Sequence, residues 1–251
     1  FLDTVIKDGF IEANINLNFD DKGIIKENYK IKGSIKKVKL NILNKFKLQN
    51  LNFNFDVEKN TYSLKLIDMK VNNIKITSPL VEVKKKKNLF LVKGQLLNER
   101  KNFDIRVFEP IFANLYNDID IQKIEFSSKN NFSFNINKNF KFDNFKVNSI
   151  IDLNELIFNE KRLKLKAYIP SFAGKVKLEE HKIIINYDKN KFDIKGMGNI
   201  LLDDKSDNMS YDIIKNDTNF LFNSKINLKN NSLLIEFLDY EKRVGLNSII
   251  L

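Results

Sequence analysis

The chain has no cysteine and no tryptophan, and only one histidine, three prolines and eight glycines in 251 residues. Without cysteine there is no disulfide, no thiolate metal site and no cysteine nucleophile, although that absence fixes no cellular compartment. No apolar run approaches the ~20 residues of a membrane-spanning helix. There is also no Gly-rich phosphate loop, no His/Glu metal pattern and no Gly-x-Ser-x-Gly elbow. The usual sequence marks of nucleotide, zinc and acyl-transfer chemistry are therefore missing, and neither enzymatic activity nor a cofactor is expected. The chain begins at Phe1 without a Met or a signal peptide. The expectation is a piece of a longer protein, with any targeting or anchoring segment upstream.

What the chain does have is alternation. Thirteen or more short stretches place an apolar residue at every second position, with Asn, Lys, Asp or Ser between. Tyr29-Lys-Ile31-Lys-Gly33-Ser-Ile35 and Leu51-Asn-Phe53-Asn-Phe55-Asp-Val57 are two of them; Phe132-Ser-Phe134-Asn-Ile136 and Leu233-Leu-Ile235-Glu-Phe237 are two more. A period of two sends successive side chains to opposite faces of a strand, so each strand has one apolar face and one wet face. The pattern predicts strands at 29–35, 38–43, 46–57, 62–71, 74–76, 80–83, 89–97, 103–108, 121–126, 132–136, 140–147, 163–169, 175–178, 182–187, 192–202, 209–214, 219–228 and 233–240.

Asn and Asp mark most of the turns, because they tolerate left-handed geometry and bond their own backbone. Short strands joined by tight turns predict an antiparallel meander. Pro110 and the spacing of Ile111, Leu115 and Ile119 suggest one helix near Glu109–Asn117. Ser149 to Phe158 suits either a helix or a strand. No linker divides the chain, so residues 1–251 are expected to form a single continuous segment.

A weak internal echo, aromatic-x-Ile/Val-Lys-Gly, ends at Gly33, Gly94 and Gly196. Each copy is a strand reaching a position where a bulge, a bend or a close backbone approach is permitted. His181 lies in the polar tetrad Glu179-Glu-His-Lys182, with no spacing that supplies a nucleophile or an orienting carboxylate, and is expected to be an exposed turn residue. Asp203-Asp-Lys-Ser-Asp-Asn208 resembles a calcium loop but lacks the central Gly and the closing Glu, so a solvated hairpin loop is expected. Ser171-Phe-Ala-Gly174 reads as a turn after Pro170, and Lys84-Lys-Lys-Lys87 as a hairpin tip.

The net charge is +11, from 43 Lys and Arg against 32 Asp and Glu. The lysines are dispersed along wet faces and alternate against the phenylalanines, whereas a nucleic-acid platform needs base and aromatics on one face. No nucleic-acid partner is expected. Three covers would suit the apolar face: a second sheet in a sandwich or closed barrel, the acyl chains around an outer-membrane barrel, or lipid held in an open folded sheet. Zero Trp and strands of 4–8 residues argue against the membrane barrel.

The strand grammar resembles that of the AsmA-like envelope proteins, particularly the long YhdP-type members. The likeness is carried by Val5-Ile-Lys-Asp-Gly9, Asn18-Phe-Asp-Asp-Lys-Gly23, Asn28-Tyr-Lys-Ile-Lys-Gly-Ser-Ile35 and Leu51-Asn-Phe-Asn-Phe55, then by Phe220-Leu-Phe-Asn-Ser-Lys-Ile-Asn-Leu228 and Ile235-Glu-Phe-Leu-Asp-Tyr-Glu-Lys242. It covers most of the chain and is one of texture rather than of a catalytic motif. The resemblance implies an all-β, extended, strongly twisted antiparallel meander forming a hydrophobic groove, with at most one or two short helices. It further implies a periplasmic bridge that moves phospholipids between membranes, anchored to the inner membrane of a Gram-negative bacterium by a segment outside this chain and meeting an outer-membrane partner. On that reading Ile31, Ile35, Phe53, Phe55, Phe132, Phe134, Phe142, Ile183, Ile185, Phe192, Ile194, Ile235 and Phe237 line the groove. A structural or adhesive sandwich with a dry core is the alternative.

Overall fold

The computed structural model describes residues 6–26, 28–42, 46–104, 106, 120–139, 141–160, 165–189, 191–215 and 219–250. The chain is all-β. Its strands are β1 (Ile6–Asn16), β2 (Lys30–Ile42), β3 (Phe46–Glu58), β4 (Thr61–Val71), β5 (Ile74–Lys86), β6 (Leu89–Phe103), β7 (Asp120–Asn137), β8 (Phe142–Asn159), β9 (Lys175–Asp188), β10 (Lys191–Leu202), β11 (Lys205–Lys215) and β12 (Phe220–Leu228), then the three-residue β13 (Leu233–Ile235), β14 (Tyr240–Lys242) and β15 (Ser248–Ile250). Strands β1 to β12 pair in chain order, β15 follows β12 to complete thirteen strands, and β13 and β14 form a separate pair. Each pairing whose register is described is antiparallel. No pairing joins β1 to β15 among the described residues, so the meander does not close into a barrel.

The chain divides into two compact units, residues 1–99 with 129–148 (unit 1) and residues 100–128 with 149–251 (unit 2). The expected helix at Glu109–Asn117 lies outside the described residues. Ser149–Phe158 is strand, within β8. Two 3₁₀ turns, Leu165–Ala167 and Glu236–Leu238, are present. Among the described residues no helix is long and apolar enough to cross a membrane.

The strands are far longer than the alternation suggested: β2 and β5 have 13 residues, β9 has 14, and β7 and β8 have 18 each. The expected strands 29–35 and 38–43 are one strand, as are 74–76 with 80–83 and 175–178 with 182–187. The cause is a bulge in mid-strand. Lys37, Asn50, Leu66, Asn144 and Glu180 adopt positive φ between 51° and 55° inside β2, β3, β4, β8 and β9. Register shifts fall beside the bulges of β1, β2, β3 and β9.

A bulge inserts one unpaired residue and so slips the side-chain alternation by one. Ile31, Gly33 and Ile35 are thus followed on the same face by Val38 and Leu40, where Val38 stands opposite Leu51 and Leu40 opposite Leu48. Tyr62 and Leu64 are followed by Ile67, Met69 and Val71, and Ser78 by Val81 with Pro79 at the slip. In unit 1 adjacent strands slip at neighbouring positions, whereas in unit 2 β9 bulges against a regularly paired β10. Within each unit the apolar face stays on one side while the bulges bend the strands. Strand length therefore no longer counts against a membrane barrel, although the described strands do not close into one.

Unit 1 is cored by Ile67, Val81 and Val92, with Phe53, Phe132 and Phe134 packed against them. Unit 2 is cored by Ile169, Phe172, Val176, Ile200 and Leu202. Two expectations change here. The described part of 163–169 is a 3₁₀ turn rather than a strand, held by Ile169 N–H donating to the Leu165 carbonyl at 2.8 Å. The turn after Pro170 buries Phe172, because that segment folds back over Val176 and Leu202.

Candidate functional site: an apolar face in continuous register

Register makes the apolar face of unit 1 explicit. Ile15, Ile31, Val57, Tyr62, Val83 and Val92 stand opposite one another from β1 to β6. Beside that row runs a second, Ala13, Gly33, Phe55, Leu64, Val81 and Gly94. Beyond the bulges Leu40, Leu48, Val71 and Ile74 continue it. None of these three rows contains a charged residue.

The opposite face reads Asn14, Lys32, Asp56, Ser63, Glu82 and Lys93. Its charges pair locally: Lys65 with Asp56, and Lys84 and Lys93 with Glu82 at 3.2 and 3.1 Å. Hydrogen bonds from those lysines hold the Asp56 and Glu82 carboxyls below the usual carboxylate range. In unit 2 Lys123 and Lys177 clasp Glu155, with Lys177 also on Glu179. The positive balance is thus partly spread through mixed-sign wet rows.

Coverage of the apolar face is uneven. Ile67, Val81 and Val92 are buried, and Ile31, Ile35, Phe53, Phe55, Phe132 and Phe134 are half-buried. Ile11, opposite Ile35, is 71% exposed and Ile15 is 58% exposed, so the face opens at β1. Phe142 is exposed as well, with its ring 5.5 Å from that of Phe134.

The glycines of the sequence echo sit on this face because something lies over them. A Cβ on Gly33 would meet the Glu12 carbonyl and come within 2.5 Å of the Phe55 ring. One on Gly94 would come within 2.9 Å of Phe132, and one on Gly196 would enter the Tyr211 ring.

In unit 2 Ile185, Ile194, Ile213 and Phe222 form a row, beside Ile183, Gly196, Tyr211 and Ser224. Phe192 stands opposite Tyr187 on that face. The expected groove residues therefore fall into two sets, Ile31 to Phe142 in unit 1 and Ile183 to Ile194 in unit 2. Ile235 and Phe237 join neither set. The expected strand 233–240 is broken into β13, a 3₁₀ turn and β14, because Asp239 takes left-handed geometry (φ 49°) and reverses the chain. Ile235 pairs there with Tyr240, and Phe237 is 82% exposed. Ile11, Ile15, Leu64, Val81 and Val92, which the sequence reading did not single out, belong to the unit 1 face. Their signal was the same alternation, once its phase is carried across the bulges.

His181 is 1% exposed inside β9, not on an exposed turn. The bulge at Glu180 rotates it onto the apolar face, and Gly198 leaves room for its ring. Its Nε2 lies 3.0 Å from the Asn199 carbonyl, and it stacks on Tyr211 at 5.8 Å between centroids. Burial pushes its pKa down, against a smaller upward push from the Asn199 bond. The unfolded chain therefore takes up a proton more readily than the folded one. Stability is fully present above the unfolded value of about 6.5 and declines as pH falls below it, by at most about 1.4 kcal/mol per pH unit. Urea unfolding at pH 7.5 and 5.5 should show that decline in the native chain. In His181→Gln, which keeps a donor for Asn199, it should disappear, since no other histidine exists.

Comparison with protein-family models, with curated proteins and with solved structures finds no match.

Proposed function

We propose that the chain is a non-enzymatic lipid carrier whose apolar face receives phospholipid acyl chains, as a segment of an AsmA-like bridge between the inner and outer membranes. The observation that carries this reading is the set of uninterrupted apolar rows in unit 1, open at Ile11 and Ile15. An apolar face left open to water calls for a ligand or a partner. Acyl chains gain roughly 25 cal/mol per Å2 wherever they lie on such a surface. Rows without a charged residue make that gain nearly uniform, so no step along them traps the lipid. Head groups stay wet at the margin. Periplasmic placement and an inner-membrane anchor outside this chain rest on the sequence resemblance.

The test is lipid extraction and native mass spectrometry of the purified chain. Phospholipid should co-purify with the native protein, and its absence removes the reading. The double variant Ile11→Asp/Ile15→Asp alters only exposed side chains. It should keep the native circular dichroism and lose most of the bound lipid. If the lipid content is unchanged, the β1 margin is not its path. A dry structural core has one observation in its favour, the end of the unit 2 face over Val176 and Leu202 that Ile169 and Phe172 cover.

A further inference from the structure

In unit 2 the wet face of β9–β12 breaks the alternation. Ile184 and Met197 sit there, both exposed, among charged and polar neighbours. Ile184 stands opposite Lys195 and Met197 opposite Lys182. On the next two strands Ser210 and Lys225 continue the Met197 row, and Asp212 and Asn223 continue the row of Ile184 and Lys195. The surface here forms an open, shallow basin of about 1020 Å3 bordered by these side chains. That is the upper end of the size of small-molecule sites.

Two features of the basin lack a partner among the described residues. Ile184 and Met197 are diagonal neighbours on adjacent strands, 43% and 62% exposed. Lys182, Lys195 and Lys225 make no ion pair among the described residues, although lysines on β4–β9 elsewhere do. Asp212, opposite Lys195, is the one carboxylate that borders the basin. Three cations against one carboxylate leave the basin positive.

We propose that this basin binds an anionic amphiphile. The acidic group lies among Lys182, Lys195 and Lys225, and the apolar chain rests on Ile184 and Met197. The site is on the wet face of unit 2 and does not depend on the apolar face of unit 1. Its ligand is single-chained, because the apolar floor is two side chains wide.

Lauroyl lysophosphatidylglycerol, kept below its critical micelle concentration, is a suitable probe for calorimetric titration of the whole chain. Glycerol 3-phosphate serves as the head group without a chain. The protein should bind the lysolipid, and added salt should weaken it. The exposed-lysine variant Lys182→Ala/Lys195→Ala/Lys225→Ala should lose about tenfold or more in affinity, as expected for charge-assisted contacts. Met197→Asp should weaken binding similarly. Ile11→Asp/Ile15→Asp should bind the lysolipid as the native chain does, which separates this site from the unit 1 face. The proposal is overturned by no binding, by binding that survives the triple lysine variant, or by loss of binding in the Ile11/Ile15 variant. Equal affinity for glycerol 3-phosphate overturns it too, because the chain would then contribute nothing.

Discussion

Asp207→Ala should destabilise unit 2 by about 3–5 kcal/mol, the range seen when one partner of a buried charged network is removed. Asp207 is only 4% exposed. Its Oδ1 accepts from the Lys229 and Asn230 backbone N–H groups at 2.7 and 2.9 Å, and its Oδ2 accepts from the Asn231 side-chain amide at 2.8 Å. The Asn231 amide also donates to the Lys205 carbonyl at 3.2 Å, and the Asn231 carbonyl takes the buried Lys242 ammonium. One carboxylate thus ties β11 to the loop after β12 and, through Asn231, to β14. Burial already pushes the Lys242 pKa down, against an upward push from Asp207. Alanine would strand three donors and remove that compensating charge together. Urea unfolding followed by far-UV circular dichroism measures the loss, and Asp207→Asn, which keeps one acceptor oxygen, should lose less. A change below about 1 kcal/mol, the net worth of a single ordinary hydrogen bond, would mean that the network does not hold this region.

Gly33→Val should cost about 1–3 kcal/mol, as overpacking generally does, and should loosen β1 before the rest of unit 1. The added Cβ meets two things that cannot both retreat. One is the Glu12 carbonyl on β1, which is backbone; the other is the Phe55 ring on β3. Phe55 itself packs edge-on to Phe53 at 6.5 Å between centroids, next to the core cluster. The strain is therefore expected to pass to β1, which among the described residues pairs with β2 alone. Hydrogen exchange should show lost protection over residues 6–16 at a smaller cost elsewhere. Ser34→Val provides the comparison. It adds apolar bulk one residue along the same strand but on the wet face, opposite Glu12 and Asn54, and should change stability by less than about 0.5 kcal/mol. Equal effects at the two positions would mean that the bare glycine has no packing role.

These two sites mark how far the sequence was legible. Gly33 was flagged as the end of an aromatic-x-Ile/Val-Lys-Gly echo, and the structure explains the echo as bare positions beneath Phe55, Phe132 or Tyr211. Asp207 was assigned to a solvated loop. Its burial depends on Lys229, Asn230 and Asn231, more than twenty residues away, and no local spacing announces them. His181 was misplaced for the same reason, since Asn199, Gly198 and Tyr211 come from other strands. The apolar face itself was readable residue by residue, but Ile184 and Met197 looked like ordinary members of apolar runs. Only the cross-strand register places them on the wet side.

The amino-acid sequence by itself determined that this chain is β-structure and, within each short run, which residues share a face. Alternation is a local property, set by the geometry of one extended strand. The tertiary structure decided what that property adds up to. Bulges at Lys37 and Glu180 slip the phase of β2 and β9, so that each of these long strands looks in sequence like two short ones. Only the pairing of neighbouring strands reveals that the apolar face keeps its side across the slip. Coverage of that face was likewise decided by packing between strands distant in sequence. Such packing leaves Ile11 and Ile15 open to water and seals Val81, though all three belong to the same alternation.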